Sequence, residues 1–211
     1  MPRITDYDLY EVPPRWLFLR VETSDGRVGW GEPTLEGRAG TVRAAVEELF
    51  EQYLLNEPPG PIEDHWQTMY RGGFYRGGPV LLSAIAGIDQ ALWDLKGKRF
   101  DAPVNELLGG PTRDSVRVYQ WIGGDDPAEV GGAAREAVDA GFTALKMNAT
   151  GKLRHVDTPA AVEAAADRLA EVRAAVGPEV DVAVDLHGRA SKAMAKRLAA
   201  ALDPHDPLFI E

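Results

Sequence analysis

The chain has 211 residues, 45% of them hydrophobic and 27% charged, enough to bury a core in one or two domains. Its net charge of −10 disfavours nucleic acid, whose phosphates need a basic surface. It has no cysteine, which rules out disulfides and thiolate metal sites. No run approaches the ~18 apolar residues of a membrane helix. The start, MPRITDYDLYEVPPRW, is too polar for a signal peptide, so the cytoplasm is the expected compartment. Seventeen arginines stand against six lysines. An acidic surface suited to a salty cytoplasm and a GC-rich genome are both compatible with that bias.

The first elements read as strands. Ile4 to Val12 and Trp16 to Thr23 are two, and Ser24-Asp25-Gly26-Arg27 is a tight turn because Asp-Gly accepts positive φ. Val28 to Gly31 returns as the third strand of an antiparallel meander. A helix is expected over Arg38 to Leu55, with Val42, Val46, Leu49 and Phe50 at helical spacing. Pro58-Pro59-Gly60-Pro61 breaks it, and Ile62 to Tyr70 is a short helix. The glycine-rich loop Arg71 to Gly78 is either a lid over an anionic ligand or a turn between helices. Pro79 then opens a long helix striped with Leu82, Ile85, Ile88, Leu92 and Leu95.

After about residue 113 the pattern alternates. Strands are expected at Val116 to Trp121, Thr143 to Met147, Asp181 to Asp185 and Leu208 to Glu211. Helices fall between them at Pro127 to Ala140, from the Thr158-Pro159 cap to about Val176, and at Ser191 to Leu202. Strand–helix alternation implies βαβ crossovers and a parallel sheet, either doubly wound or a (β/α) barrel. No GxGxxG follows a first strand. Polar residues at the ends of three successive strands favour the barrel, where chemistry sits at the C-terminal strand ends. The expected division is residues 1–112 and 113–211.

Those strand ends carry the candidate chemistry. Asp185 and Glu211 repel each other unless a cation lies between them. Mg²⁺ is the candidate, being hard and oxygen-seeking. The alternative is that each acid caps a helix or pairs with arginine. His187 lies two residues after Asp185, so continued strand period would put both on one face. It could be a general acid or base, a metal ligand or a hydrogen-bonded loop residue. Lys146 and Asn148 share a face; Lys146 could polarise a carboxylate, act as a base, or bury its stem under a solvated tip. His65, His155 and His205 read as surface or structural.

Several segments carry a resemblance: PPRWLFLRVETSDGRVGWGEP, EGRAGTV, MYRGGFYRGGPVLLSAIAGIDQALWDLKGK, APVNELLGG, GFTALKMN, VDLHGRASKAMAK and PLFIE. In this order they resemble the mandelate racemase subgroup of the enolase superfamily, most closely the galactonate dehydratases. The resemblance implies an α+β capping domain followed by a (β/α) TIM-type barrel, here only its first half, about four strands. It implies one Mg²⁺ held by three carboxylates, with Asp185 as the first and Glu211 as the second. His187 is implied as the acid that protonates a departing 3-hydroxyl. Lys146 and Asn148 take the place of a polar pair, Asn148 standing where the racemase pattern has a second lysine. Segments around Arg38 and around Tyr75 and Arg76 are implied to close over a polyhydroxy acid.

The implied reaction removes the proton α to a carboxylate and eliminates water, giving a 2-keto-3-deoxy sugar acid. Galactonate is the first expectation, with gluconate, xylonate or another aldonate next. The family's third carboxylate and its His–Asp base pair lie on later strands than those present. The 211 residues are therefore expected to be the N-terminal part, inactive alone and poor in binding Mg²⁺, with the complete protein a homo-oligomer. A competing reading is a non-catalytic remnant whose exposed half-barrel face binds a partner.

Overall fold

A computed structural model describes residues 1–123 and 127–211. The chain divides into two compact units, Met1–Asp114 and Ser115–Glu211.

The first unit begins with an antiparallel sheet of β1 (Ile4–Val12), β2 (Trp16–Thr23) and β3 (Val28–Gly31), in that order. Alternation along β2 sends Leu17, Leu19, Val21 and Thr23 to the core. The long helix α3 (Pro79–Phe100) packs directly on β3, with Ala84, Ile85, Ile88, Ala91, Leu92 and Leu95 buried. Gly29 and Gly31 allow that closeness, because a Cβ on either would run into the carbonyls of Ala91 and Gly87. Side chains of α3 also satisfy the outer edge of β3. Asp94 accepts the Trp30 N–H at 2.8 Å, Gln90 accepts the Glu32 N–H at 2.9 Å, and Lys98 donates to the Val28 carbonyl at 2.8 Å.

The helix expected from Arg38 to Leu55 is two pieces. Helix α1 spans Ala39–Leu49, and a π-helical turn follows over Phe50–Leu54. Phe50 is fully buried and stacks on Tyr7 at 4.2 Å between ring centroids, and Leu54 is fully buried beyond it. Wider winding brings both side chains to the core, a packing demand that helical period alone does not reveal. Helix α2 (Ile62–Arg71) follows, with His65 buried and its Nε2 2.7 Å from the Pro58 carbonyl oxygen. That histidine is structural. A short helix α4 (Val104–Leu107) follows α3.

The second unit holds a parallel sheet ordered β4 (Gln120–Trp121), β5 (Ala144–Asn148), β6 (Asp181–Asp185). Helices α5 (Pro127–Asp139), α6 (Pro159–Val176) and α7 (Lys192–Leu202) connect the strands. Leu145, Met147, Val182 and Val184 belong to one buried cluster with Val130, Ala134, Leu169, Met194 and Leu198 from those helices. Thr158 caps α6 by accepting the Ala161 N–H, and Ser191 caps α7 by accepting the Met194 N–H, each at 3.3 Å.

Two strand expectations contract. Val116 to Trp121 is a strand only at Gln120–Trp121, the residues that pair with β5. Val116 and Val118 are exposed, and Arg117 is drawn to the Thr143 carbonyl at 2.6 Å and to Asp181. Leu208 to Glu211 pairs with β6 through one bridge, Val184 to Ile210. Its hydrogen bonds are still those of a parallel neighbour: Leu208 N to Val182 O at 2.9 Å, Val184 N to Phe209 O at 3.0 Å, and Glu211 N to Val184 O at 2.8 Å. The architecture is thus the expected α+β unit followed by the first strands of a (β/α) barrel.

Candidate functional site

Register assembles the site. Asn148 lies opposite Asp185, and Lys146 opposite Ala183. Leu145, Met147, Val182 and Val184 face the helices, so alternation sends Lys146, Asn148 and Asp185 to the other face. Ile210 bridges Val184, which puts Glu211 beside Asp185 on that face.

The Lys146 ammonium joins the two acids. It donates to Asp185 Oδ2 at 2.9 Å and also pairs with Glu211. The Lys146 and Asp185 side chains are only 12% and 11% exposed. The hydrogen bonds to Glu211 and then Asp185 hold the ammonium above the usual lysine range, against its desolvation. For Asp185, burial pushes the carboxyl up, but the Lys146 hydrogen bond and the His187 N–H outweigh it and leave the group below the usual range. The Tyr119 ring lies 5.7 Å from the ammonium and 6.1 Å from the Phe209 ring.

His187 departs from the strand-period expectation. Strand β6 ends at Asp185, and His187 and Gly188 have φ of 52° and 65°. The Arg189 N–H closes the turn on the Leu186 carbonyl at 2.9 Å. Two left-handed residues inside such a bond form a tight turn, and histidine tolerates φ > 0 better than most residues. Asp185 Oδ1 accepts the His187 N–H at 2.5 Å. The carboxylate therefore anchors the turn while its other oxygen meets Lys146, and the exposed imidazole is presented from the turn, outside strand alternation.

Asn148 is buried, and its N–H donates to the Gly123 carbonyl at 2.5 Å. Arg189, which the sequence does not single out, donates to the Thr150 carbonyl and ties the loop after β6 to the loop after β5. Tyr119 is also absent from the sequence expectations. Its nearness to Lys146 depends on the path of the chain before β4, and no local motif signals that. The remaining candidates lie in the first unit. Arg38 is exposed at the N-terminus of α1, and Tyr75 and Arg76 are exposed in the loop between α2 and α3.

Asp185 and Glu211 bring two hard oxygen donors to one cationic group, the Lys146 ammonium. That donor chemistry suits Mg²⁺, a hard ion that takes oxygen ligands. The pair accounts for two ligands. Among the described residues no group of three His, Asp or Glu side chains is close enough to hold a metal.

A capping unit of this design, followed along the chain by a parallel sheet with acids at its strand ends, is the enolase type of fold. The family model "Mandelate racemase / muconate lactonizing enzyme, N-terminal domain" matches residues 13–109, and "Enolase C-terminal domain-like" matches residues 129–211. The chain belongs to the mandelate racemase/muconate lactonizing enzyme family. It is 54% identical over 209 residues to a D-galactonate dehydratase of Ralstonia nicotianae, covering 99% of this chain and 54% of that protein. The chain thus spans about half the length of the curated relatives it matches. A mandelate racemase/muconate lactonizing enzyme structure from Sulfitobacter superposes with a TM-score of 0.89 at 27% identity, over 99% of this chain and 59% of that one. An enolase from Pantoea ananatis, with bound D-gluconate and Mg, superposes with a TM-score of 0.86 at 27% identity, over 100% of this chain and 59% of that one. Among the described residues no helix is long and apolar enough to cross a membrane.

Proposed function

We propose that the chain carries part of the active site of a Mg²⁺-dependent sugar-acid dehydratase, a hydro-lyase converting D-galactonate to 2-dehydro-3-deoxy-D-galactonate. The observation that carries this reading is the meeting of Asp185 and Glu211 at one cation position, in a chain 54% identical to a D-galactonate dehydratase.

In this reading Asp185 and Glu211 hold the metal, which supplies positive charge beside the substrate carboxylate. Lys146 and Asn148 receive the acid group of the substrate. His187 gives its proton to the departing 3-hydroxyl, which leaves as water once the α C–H bond has been broken. The resulting enol takes a proton at C3 and becomes the 2-keto acid, so the balance is loss of one water. Arg38, Tyr75 and Arg76 of the first unit are proposed as further substrate-binding residues. No described residue is assigned as the base that removes the α-proton, so residues 1–211 alone are proposed to be inactive. The partner is a small-molecule sugar acid, with no nucleic acid or membrane involved. The full-length protein is proposed to be a cytoplasmic homo-oligomer.

The test is a panel of aldonic acids with Mg²⁺, scored for 2-keto-3-deoxy products, using protein extended to the length of its relatives. Galactonate is expected to turn over fastest, and His187→Asn to lose at least about a hundredfold in kcat. Turnover of gluconate alone would favour the second reading, which the gluconate-bound Pantoea structure supports at lower identity. Turnover by residues 1–211 would refute the inactivity of this part.

A further inference from the structure

We propose that Lys146 is a built-in counter-cation that competes with the metal for Asp185 and Glu211, so that loading the site requires its ammonium to leave. The inference rests on the reading of these two acids as metal ligands. Three observations carry it. One ammonium meets both acids, reaching Asp185 Oδ2 at 2.9 Å and pairing with Glu211. The Lys146 and Asp185 side chains are largely covered by the protein, so the two are held against each other. Asp185 spends its other oxygen on the His187 N–H, leaving Oδ2 as the oxygen that a cation would take.

The physical consequence is direct. Without a cation, two carboxylates on neighbouring strands would repel in a half-buried site, and Lys146 removes that repulsion. A dication placed between the same oxygens would face the ammonium at contact distance, and both cannot stay. Lys146 therefore stabilises the metal-free site and weakens metal binding. Once displaced, it is available to an anionic substrate, which makes metal-first loading the expected order.

The test uses Mn²⁺ as probe, with affinity measured by electron paramagnetic resonance on the 211-residue chain, its Lys146→Gln variant, and each with Asp185→Asn added. Lys146→Gln is expected to bind Mn²⁺ at least about tenfold more tightly, since a full charge is removed at contact distance. It is also expected to melt at a lower temperature without metal and to be raised further by Mn²⁺ than the parent. Adding Asp185→Asn is expected to abolish both effects.

Equal or weaker binding by Lys146→Gln, with binding still lost in Asp185→Asn, overturns the inference and leaves the metal reading standing. Absence of Mn²⁺ binding in Lys146→Gln as in the parent overturns the inference, whereas the metal reading falls only if protein extended to the length of its relatives also fails to bind Mn²⁺. Should Lys146→Gln fail to fold, the unsubstituted chain decides the matter. With only six lysines, ε-¹³C-labelled lysine signals are few. One is expected to shift on saturation with Mg²⁺, and six unmoved signals at saturation overturn the proposal.

Discussion

Substituting Gly31 by alanine should disrupt the first unit more than any other single methyl group. Its backbone is not left-handed, so the residue type itself adds no conformational strain. The added Cβ would overlap the Gly87 carbonyl oxygen and lie 2.9 Å from its carbon and 3.1 Å from the Ala91 nitrogen. All three atoms are backbone of α3, which cannot rotate away as a side chain would, so strand and helix must separate. Overpacking of this kind costs roughly 1–3 kcal/mol, and the backbone obstruction places Gly31→Ala at or above about 3 kcal/mol. Two controls separate sterics from conformation. Gly26 has φ of 79° with no atom near its Cβ position, so Gly26→Ala should cost only the left-handed penalty of about 1–2 kcal/mol. Gly40 sits in α1 with open space beside it, so Gly40→Ala should stabilise by about 0.5–1 kcal/mol. Urea unfolding at 25 °C, followed by the fluorescence of Trp30 and Trp93, should rank them Gly40→Ala, parent, Gly26→Ala, Gly31→Ala. A Gly31→Ala protein within about 0.5 kcal/mol of the parent would refute the close-packing argument.

Three further outcomes are expected. The Lys146–Asp185 pair should make stability depend on pH at both ends. Asp185 titrates below its unfolded value, so its contribution is full above about pH 4 and is lost as pH falls through the folded value. Lys146 titrates above its unfolded value, so its contribution is full below about pH 10 and is lost only as pH rises through the folded value. The stability difference between the parent and Lys146→Gln/Asp185→Asn should thus be flat from about pH 5 to 9 and shrink in acid; a difference unchanged down to pH 2 would contradict the pairing. Arg173→Ala should destabilise the second unit by about 1.5–3 kcal/mol in denaturant titrations, because its guanidinium serves the carbonyls of Gly177, Val180 and Asp206 at 3.1, 2.6 and 2.9 Å. His187→Gly should leave the unit as stable or about 0.5–1 kcal/mol more stable, since glycine takes φ of 52° without strain, and a loss above 1 kcal/mol would mean that the imidazole packs structurally.

Much of the fold was legible locally. The bounds of β1, β2 and β3 follow from alternation and the Asp25-Gly26 turn, and α6 starts where Thr158 and Pro159 predict. The site was legible in part. Asp185 and Asn148 end their strands, Glu211 lies beside Asp185 and Lys146 two residues before Asn148, and a two-residue period predicts their common face. His187 does not follow that period, because a hydrogen bond from its own backbone to Asp185 ends the strand and starts a turn. The π-helical turn at Phe50–Leu54 likewise answers to packing against Tyr7, a residue more than forty positions earlier.

Sequence by itself determined where most of the strands and helices lie, that the second half alternates as βαβ units, and which acids stand at strand ends. Those are properties of neighbours along the chain: side-chain period, caps and turn residues. Only the tertiary structure decided that one lysine lies between Asp185 and Glu211, that Arg189 ties two loops together, and that Gly29 and Gly31 bring a strand against a helix. Those contacts join residues tens of positions apart, and they depend on strand register and on the closeness of packed backbones.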